Sequence, residues 1–168
     1  MENRMSKYIL GIDQSTQGTK AILFDGDGAL VARSDMPHRQ IINDLGWVEH
    51  DPEEIYANTL QVVKNVVGKA GIEKEKIAAV GISDQRETSL MWNQEGKPIY
   101  NAIVWQDARA AAICEELEKD GFAKEVAEKT GIRLSPYFPA GKLAWLLRNV
   151  EAAAVPSVRM GTVDTWLV

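Results

Sequence analysis

Three short apolar runs within the first 33 residues, set apart by polar turns and followed by one long amphipathic segment, constrain this chain more than any other feature. Tyr8-Ile-Leu-Gly-Ile12, Lys20-Ala-Ile-Leu-Phe24 and Ala29-Leu-Val-Ala-Arg33 read as an antiparallel meander, with Asp27-Gly28 as a tight-turn pair. The first run lacks strong alternation, which predicts a central strand buried on both faces. The amphipathic segment starts at Asp51 as cap and Pro52 as first helical residue, with Glu53 and Glu54 at the positive end of the dipole and Glu54 at capping-box spacing. Ile55, Thr59, Val62, Val63, Val66 and Val67 form its apolar face, and Gly68 is the expected stop. Ile77–Ser83 then reads as a buried strand, Ser89–Trp92 as another closed by the turn at 93–96, and Ala102–Trp105 as a short one. Helices are expected over 107–119, 123–130 and 139–149, and Thr162 could cap a last one. Strands first, then a helix returning to a strand, predict an α/β domain with a mixed sheet.

Charge and composition narrow the function classes. Lys plus Arg number 19 against 24 Asp plus Glu, a net charge of −5, and no basic cluster suits nucleic acid as a main partner. An uncharged run such as Pro98–Gln106 is far short of a membrane span, and the first residues lack the apolar core of a secretory signal. Cys114 is the only cysteine, so an intrachain disulfide or multi-cysteine zinc site is excluded. His38 and His50 could not hold zinc without carboxylate helpers. The expectation is a soluble, cytoplasmic, metal-poor scaffold with neither nucleic acid nor membrane as partner.

Three groups of residues could carry chemistry. The turn Asp13–Lys20 offers a carboxylate at a strand end, hydroxyls on Ser15, Thr16 and Thr19, backbone amides and the Lys20 ammonium. Such a loop can cradle phosphate oxygens while the carboxylate holds Mg²⁺ through water; a plain hairpin turn has the same composition. No G-x-x-x-x-G-K-[ST] segment occurs, which excludes a P-loop. Asp84-Gln-Arg-Glu-Thr88 packs charges at a strand end, where Arg86 can donate to, and Glu87 accept from, vicinal hydroxyls, or the two can form a surface ion pair. Trp92, Trp105 and Tyr137 can stack on carbohydrate C–H faces or fill the core. Asp107 suits a ligand contact or a helix cap, His50 a capping or packing role, and Cys114 an inert core position.

The blocks Tyr8–Lys20, Gly46-Trp-Val-Glu-His-Asp-Pro52, Gly81-Ile-Ser-Asp-Gln-Arg-Glu-Thr88, Gly96–Gln106, Ser135-Pro-Tyr-Phe138 and Gly161–Val168 together resemble the N-terminal domain of the FGGY carbohydrate kinases, most closely the glycerol-phosphorylating branch. The resemblance implies an α/β, actin-like ATPase or ribonuclease-H-like domain, with a mixed sheet of the five-stranded type flanked by helices. Residues 8–168 would be that domain, cut before its remainder and the C-terminal domain, and residues 1–7 a disordered extension. It implies transfer of the γ-phosphoryl of ATP, with Mg²⁺, to a polyol or sugar, glycerol to glycerol 3-phosphate foremost. Asp13 would serve the metal; Thr16, Gln17, Gly18 and Lys20 would surround the phosphates. Arg86, Glu87 and Tyr137 would bind substrate hydroxyls, and Trp105 would line the pocket. The base would lie beyond residue 168, leaving this chain inactive alone, and the complete enzyme would be a homo-oligomer. Two departures stand out: Lys20 replaces an arginine, losing a bidentate fork, and Asp107-Ala-Arg109 follows Trp105-Gln106 as in some sugar kinases of the family. A kinase for another polyol or a xylulose-like ketose, and a non-catalytic actin-fold module, are the alternatives.

Overall fold

A computed structural model describes residues 7–168, so the expected extension over residues 1–7 lies, Lys7 apart, outside the described residues. The strands are β1 (Tyr8–Ser15), β2 (Gly18–Phe24), β3 (Leu30–Pro37), β4 (Ile41–Ile42), β5 (Val48–His50), β6 (Ile77–Asp84), β7 (Ser89–Trp92), β8 (Ala102–Ile103) and β9 (Arg159–Thr162). The helices are α1 (Pro52–Ala70), α2 (Ala111–Lys119), α3 (Phe122–Thr130), α4 (Pro139–Asn149) and α5 (Val163–Leu167). They divide into two units, residues 7–39 with 53–85 and residues 40–52 with 86–168.

In the first unit the meander forms as its apolar runs require, and the ladder carries it into polar sequence. β1 and β2 pair antiparallel from Ile9↔Phe24 to Ser15↔Gly18, leaving Thr16 and Gln17 as the turn. β3 pairs with β2, and β6 returns parallel to β1, giving the order β3-β2-β1-β6. The β2–β3 connection is pinned by Asp25, whose Oδ1 accepts the N–H groups of Asp27 and Ala29 at 3.0 and 2.9 Å. Val62 and Val66 of α1 pack on Leu10, Ile12, Ala21, Leu23 and Ala32. Each of the Val, Leu and Ile side chains among them contributes about 1.5–3 kcal/mol on burial.

Three expectations change here. β1 is central, yet its burial alternates and Ile9 is 51% exposed, because α1 covers one face of the sheet. The strand expected to be buried at Ile77–Ser83 is largely exposed, with Val80 at 55% and Ile82 at 40%. It ends the sheet order with β1 as its one neighbour, so apolar composition does not bring burial. Finally, α1 runs through Gly68 to Ala70. A glycine inside a helix costs only about 1 kcal/mol, whereas Gly71, at φ +63°, takes the left-handed position that ends it.

The second unit holds an antiparallel sheet of order β4-β5-β8-β7-β9. The α/β class and the mixed sheet hold, with the strands distributed over two sheets. Ser89–Trp92 and 139–149 form as expected, whereas β4, β5 and β9 were not anticipated. Leu146 of α4 packs with Met91, Ile103 and Ala153, and Trp92 lies 5.5 Å from Trp166 in a second cluster with Leu90 and Ala102. The helix expected from Asp107 begins only at Ala111.

Gly18 is the tightest point of the first unit. A Cβ there would stand 2.4 Å from the Met36 carbonyl oxygen and 2.9 Å from Pro37 Cα, both backbone atoms of β3. Gly18→Ala should therefore destabilise the chain by about 3 kcal/mol, the upper end of the usual overpacking cost. Urea unfolding measures this, and a cost below about 1 kcal/mol would contradict the β2–β3 spacing.

Candidate active site

The Asp13–Lys20 segment of the first unit is a β-hairpin tip. Asp13 and Lys20 are cross-strand partners, and Lys20 Nζ donates to Asp13 Oδ2 at 3.0 Å with both side chains partly open to solvent. An exposed pair of this kind contributes little to stability. Its consequence is local: it holds a carboxylate and an ammonium together at the strand ends. Ser15 Oγ donates to the Gly18 carbonyl at 3.0 Å, and Gln14 Nε2 to the Ser15 carbonyl at 2.9 Å, stiffening the turn that exposes Gln17. Gly18 itself is buried against β3, so its glycine identity is explained by packing. His38 is buried beside this turn, its backbone N–H donating to the Gln17 carbonyl at 3.4 Å. Burial pulls the His38 imidazole below its ordinary pKa, against the opposing effects of Glu54 and the Thr16 backbone.

In the second unit the other residues singled out by sequence lie on two segments. Arg86 is exposed and Glu87 half-buried in the turn before β7. Glu87 takes φ +69°, a left-handed conformation uncommon outside glycine, and Ser89 Oγ donates to its carbonyl at 3.0 Å. Buried Thr88 accepts the Trp105 N–H on Oγ1 at 3.2 Å, so this turn also places Trp105. Trp105 meets Tyr137 edge to face, with centroids 5.8 Å apart and planes at 70°. Tyr137 in turn lies 5.1 Å from Phe138. A cleft of about 380 Å³ opens between Trp105–Ala108 and Ser135–Tyr137. Trp92, from the same aromatic group, belongs to the core.

Two buried cations bond to residues that line this cleft: Arg109, legible in the sequence only as part of Asp107-Ala-Arg109, and Lys142, not singled out in the sequence. Arg109 Nη2 is 2.8 Å from Asp107 Oδ2, and Nη1 is 2.7 Å from Glu49 Oε1; the Arg109 and Asp107 side chains are fully buried. The guanidinium also stacks on Trp47 and Trp145, at 4.2 and 4.8 Å from the ring centroids. Burial works against this charge, but Asp107 and Glu49 outweigh it and hold the Arg109 pKa above its ordinary value. Asp107 Oδ2 also accepts the Val48 N–H at 2.7 Å. Asp107 is thus neither an exposed ligand contact nor the cap of α2, whose N-cap residue is Ala110.

The second cation is Lys142, fully buried in the first turns of α4. Its ammonium donates to the Pro136 carbonyl at 2.7 Å, to that of Tyr137, and more loosely to that of Phe138 at 3.4 Å. Burial lowers its pKa to about 8, with Glu87, Asp107 and Cys114 acting in the opposite direction. Cys114 is half-buried, and burial raises its thiol pKa. One sequence signal marks Lys142: it stands four residues before Leu146 on the buried stripe of α4, where a lysine is out of place. Among the described residues no cluster of three or more His, Cys, Asp or Glu could hold a metal, and no helix is long and apolar enough to cross a membrane.

Residues 8–168 match the family model for the N-terminal domain of the FGGY family of carbohydrate kinases. The chain belongs to that family. This FGGY domain is 48% identical over 166 residues to glycerol kinase 1 of Thermotoga maritima, covering 96% of the chain and 34% of that kinase. Its fold matches the crystal structure of Plasmodium falciparum glycerol kinase with ADP at a TM-score of 0.86 and 34% identity, over 96% of this chain and 33% of that one. The ligand-bound xylulose kinase of Lactobacillus acidophilus follows at a TM-score of 0.84 and 28% identity, over 96% and 32%. The domain therefore spans about a third of the length of the relatives it matches, and the actin-like fold of the family is the fold seen here.

Replacing Arg109 by Met keeps an unbranched apolar stem but removes the guanidinium, leaving Asp107 and Glu49 without their counter-charge. Arg109→Met should cost about 3–5 kcal/mol in urea unfolding. A loss below about 1 kcal/mol would show that the cluster does not hold this unit together.

Proposed function

We propose that this chain is the polyol- and phosphate-binding domain of an ATP-dependent kinase that converts glycerol to glycerol 3-phosphate. The observation that carries the reading is the Trp105–Tyr137 corner over its cleft, in a chain 48% identical to a glycerol kinase. In this reading Trp105 offers an apolar face to the carbon chain of the substrate, and the Tyr137 hydroxyl binds one of its oxygens. Arg86 donates to substrate hydroxyls and Glu87 accepts from them, so that vicinal hydroxyls are read by complementary partners. The left-handed turn at Glu87 supports this assignment, since strained backbone of this sort concentrates at functional sites.

Asp13, Thr16, Gln17, Gly18 and Lys20 are assigned to ATP and its Mg²⁺. A single half-open carboxylate suits this ion, which keeps several waters and binds through one or two carboxylates plus phosphates. When bound, the metal would neutralise charge on the phosphates. The chain's own contribution is a short turn with Gln17 exposed at its tip, and a lysine whose present partner, Asp13, is released when phosphate takes its place. Phosphoryl transfer depends mainly on alignment and charge neutralisation, which fits a domain without a base of its own. The base that deprotonates the acceptor is assigned to the remaining length of the relatives.

The Asp107-Ala-Arg109 departure no longer favours a ketose. Both charged side chains are fully buried and spent on each other, on Glu49 and on the two tryptophans, so neither can select a substrate directly.

The test is a chimera in which this chain replaces the matching third of the Thermotoga maritima glycerol kinase 1. It should form ADP in a glycerol-dependent manner, whereas the 168-residue chain alone should not turn over. In the chimera Arg86→Ala should raise the glycerol KM by about 10- to 100-fold, the loss of a charged hydrogen bond, and leave the ATP KM unchanged. An unchanged glycerol KM removes Arg86 from the substrate site. A chimera that prefers xylulose overturns the choice of glycerol.

A further inference from the structure

Lysine is poorly placed inside the first turns of a helix. Its charge opposes the positive end of the dipole, and burial strips its water. Lys142 accepts both penalties. What it gains is a set of three consecutive carbonyls, those of Pro136, Tyr137 and Phe138, turned toward one ammonium. The amides of the same segment are engaged from the other side. Tyr137 N–H donates to Ser135 Oγ at 3.2 Å, and Phe138 N–H to the Ser135 carbonyl at 3.2 Å. The backbone of Tyr137 is thus gripped through both its N–H and its C=O, while the residue as a whole is 39% exposed. A long apolar side chain would fill the same volume and leave those carbonyls without a donor.

We propose that Lys142 is a positioning residue for the polyol wall: its buried ammonium gathers the 136–138 carbonyls and so fixes the Tyr137 ring opposite Trp105. This rests on the reading of Trp105 and Tyr137 as substrate-binding. Lys142 touches no substrate; it acts through the loop. The charged groups facing it are Glu87 from the turn before β7, Asp107 from the loop before α2, and the Cys114 thiol on α2. The two carboxylates keep the ammonium charged near neutral pH. Above its pKa of about 8, an amine with two hydrogens cannot serve three carbonyls.

The experiment uses the 168-residue chain labelled with ¹³C-tyrosine, with Tyr137 assigned by Tyr137→Phe. In wild type the Tyr137 ring signal should move between pH 7 and 9 with a midpoint near 8, while Tyr8 and Tyr56 stay still. Lys142→Met should give a Tyr137 signal shifted toward that of free tyrosine and flat over the same range. A folded Lys142→Met chain with an unmoved Tyr137 signal overturns the proposal. If that variant does not fold, the wild-type titration decides: with the Lys142 side chain followed in the same samples by ¹³C-lysine labelling, a Tyr137 signal that stays still as Lys142 loses its proton overturns it equally. Added glycerol should move the wild-type Tyr137 signal, and Lys142→Met should need about tenfold more for the same change. If neither glycerol nor xylulose moves it, the polyol reading fails, while a pH-dependent Tyr137 still supports the grip of Lys142 on the loop.

Discussion

A guanidinium held between two carboxylates and two indoles is the constraint on which the second unit depends. Arg109 joins Glu49 on β5, Asp107 in the loop after β8, Trp47 just before β5 and Trp145 on α4. These segments are far apart in sequence, and β4, β5 and β8 are too short to define a sheet by ladder bonds alone. Arginine suits the task where lysine would not, because its planar fork meets two acceptors and its faces stack on rings. Asp107 also holds the Val48 N–H, so one carboxylate closes both the ion cluster and the backbone beside it.

Two residues before Asp107 stands Trp105. Its N–H is taken by Thr88, and Thr88 follows Glu87 in the left-handed turn. The cluster thereby transmits its rigidity to the cleft through short covalent distances and one hydrogen bond. The opposite wall, Ser135–Tyr137, receives its rigidity from a different source, the carbonyl grip of Lys142. The first unit follows another plan: α1 and one face of its sheet form a dry apolar core, and the polar hairpin tip at Thr16-Gln17 rides on it.

Parts of this were readable from the residues. The cap, proline and apolar stripe of α1 all agree with one another, and the helix forms where they place it. Ser89–Trp92 and α4 are similarly bounded by clear turn and proline signals. The burial of β6 was not readable, because apolar composition reports what a strand could pack against and not what lies beside it. Gly68 misled because glycine is tolerated inside a long helix, and the geometry that demands it falls at Gly71. Among the candidate residues, Trp105 and Tyr137 meet in the same cleft, whereas Trp92 goes to the core. Arg109 was legible only through the Asp107-Ala-Arg109 pattern, because its other partners, Glu49, Trp47 and Trp145, lie far apart in sequence, and Lys142 escaped because its partners are backbone carbonyls, which leave no side-chain pattern.

The two buried cations also share a counter-charge. Asp107 pairs directly with Arg109 and supports the charge of Lys142, while Glu49 serves the first and Glu87 the second. Three carboxylates therefore stand against two cations, and Asp107 belongs to both groups. A cluster in which each cation had its own carboxylate could loosen one wall without affecting the other. With Asp107 shared, its removal weakens the anchor next to Trp105 and lowers the charge support of the residue that grips Tyr137. An apolar core could have filled the same space at lower desolvation cost. It could not have set two cations from distant parts of the sequence against a single carboxylate.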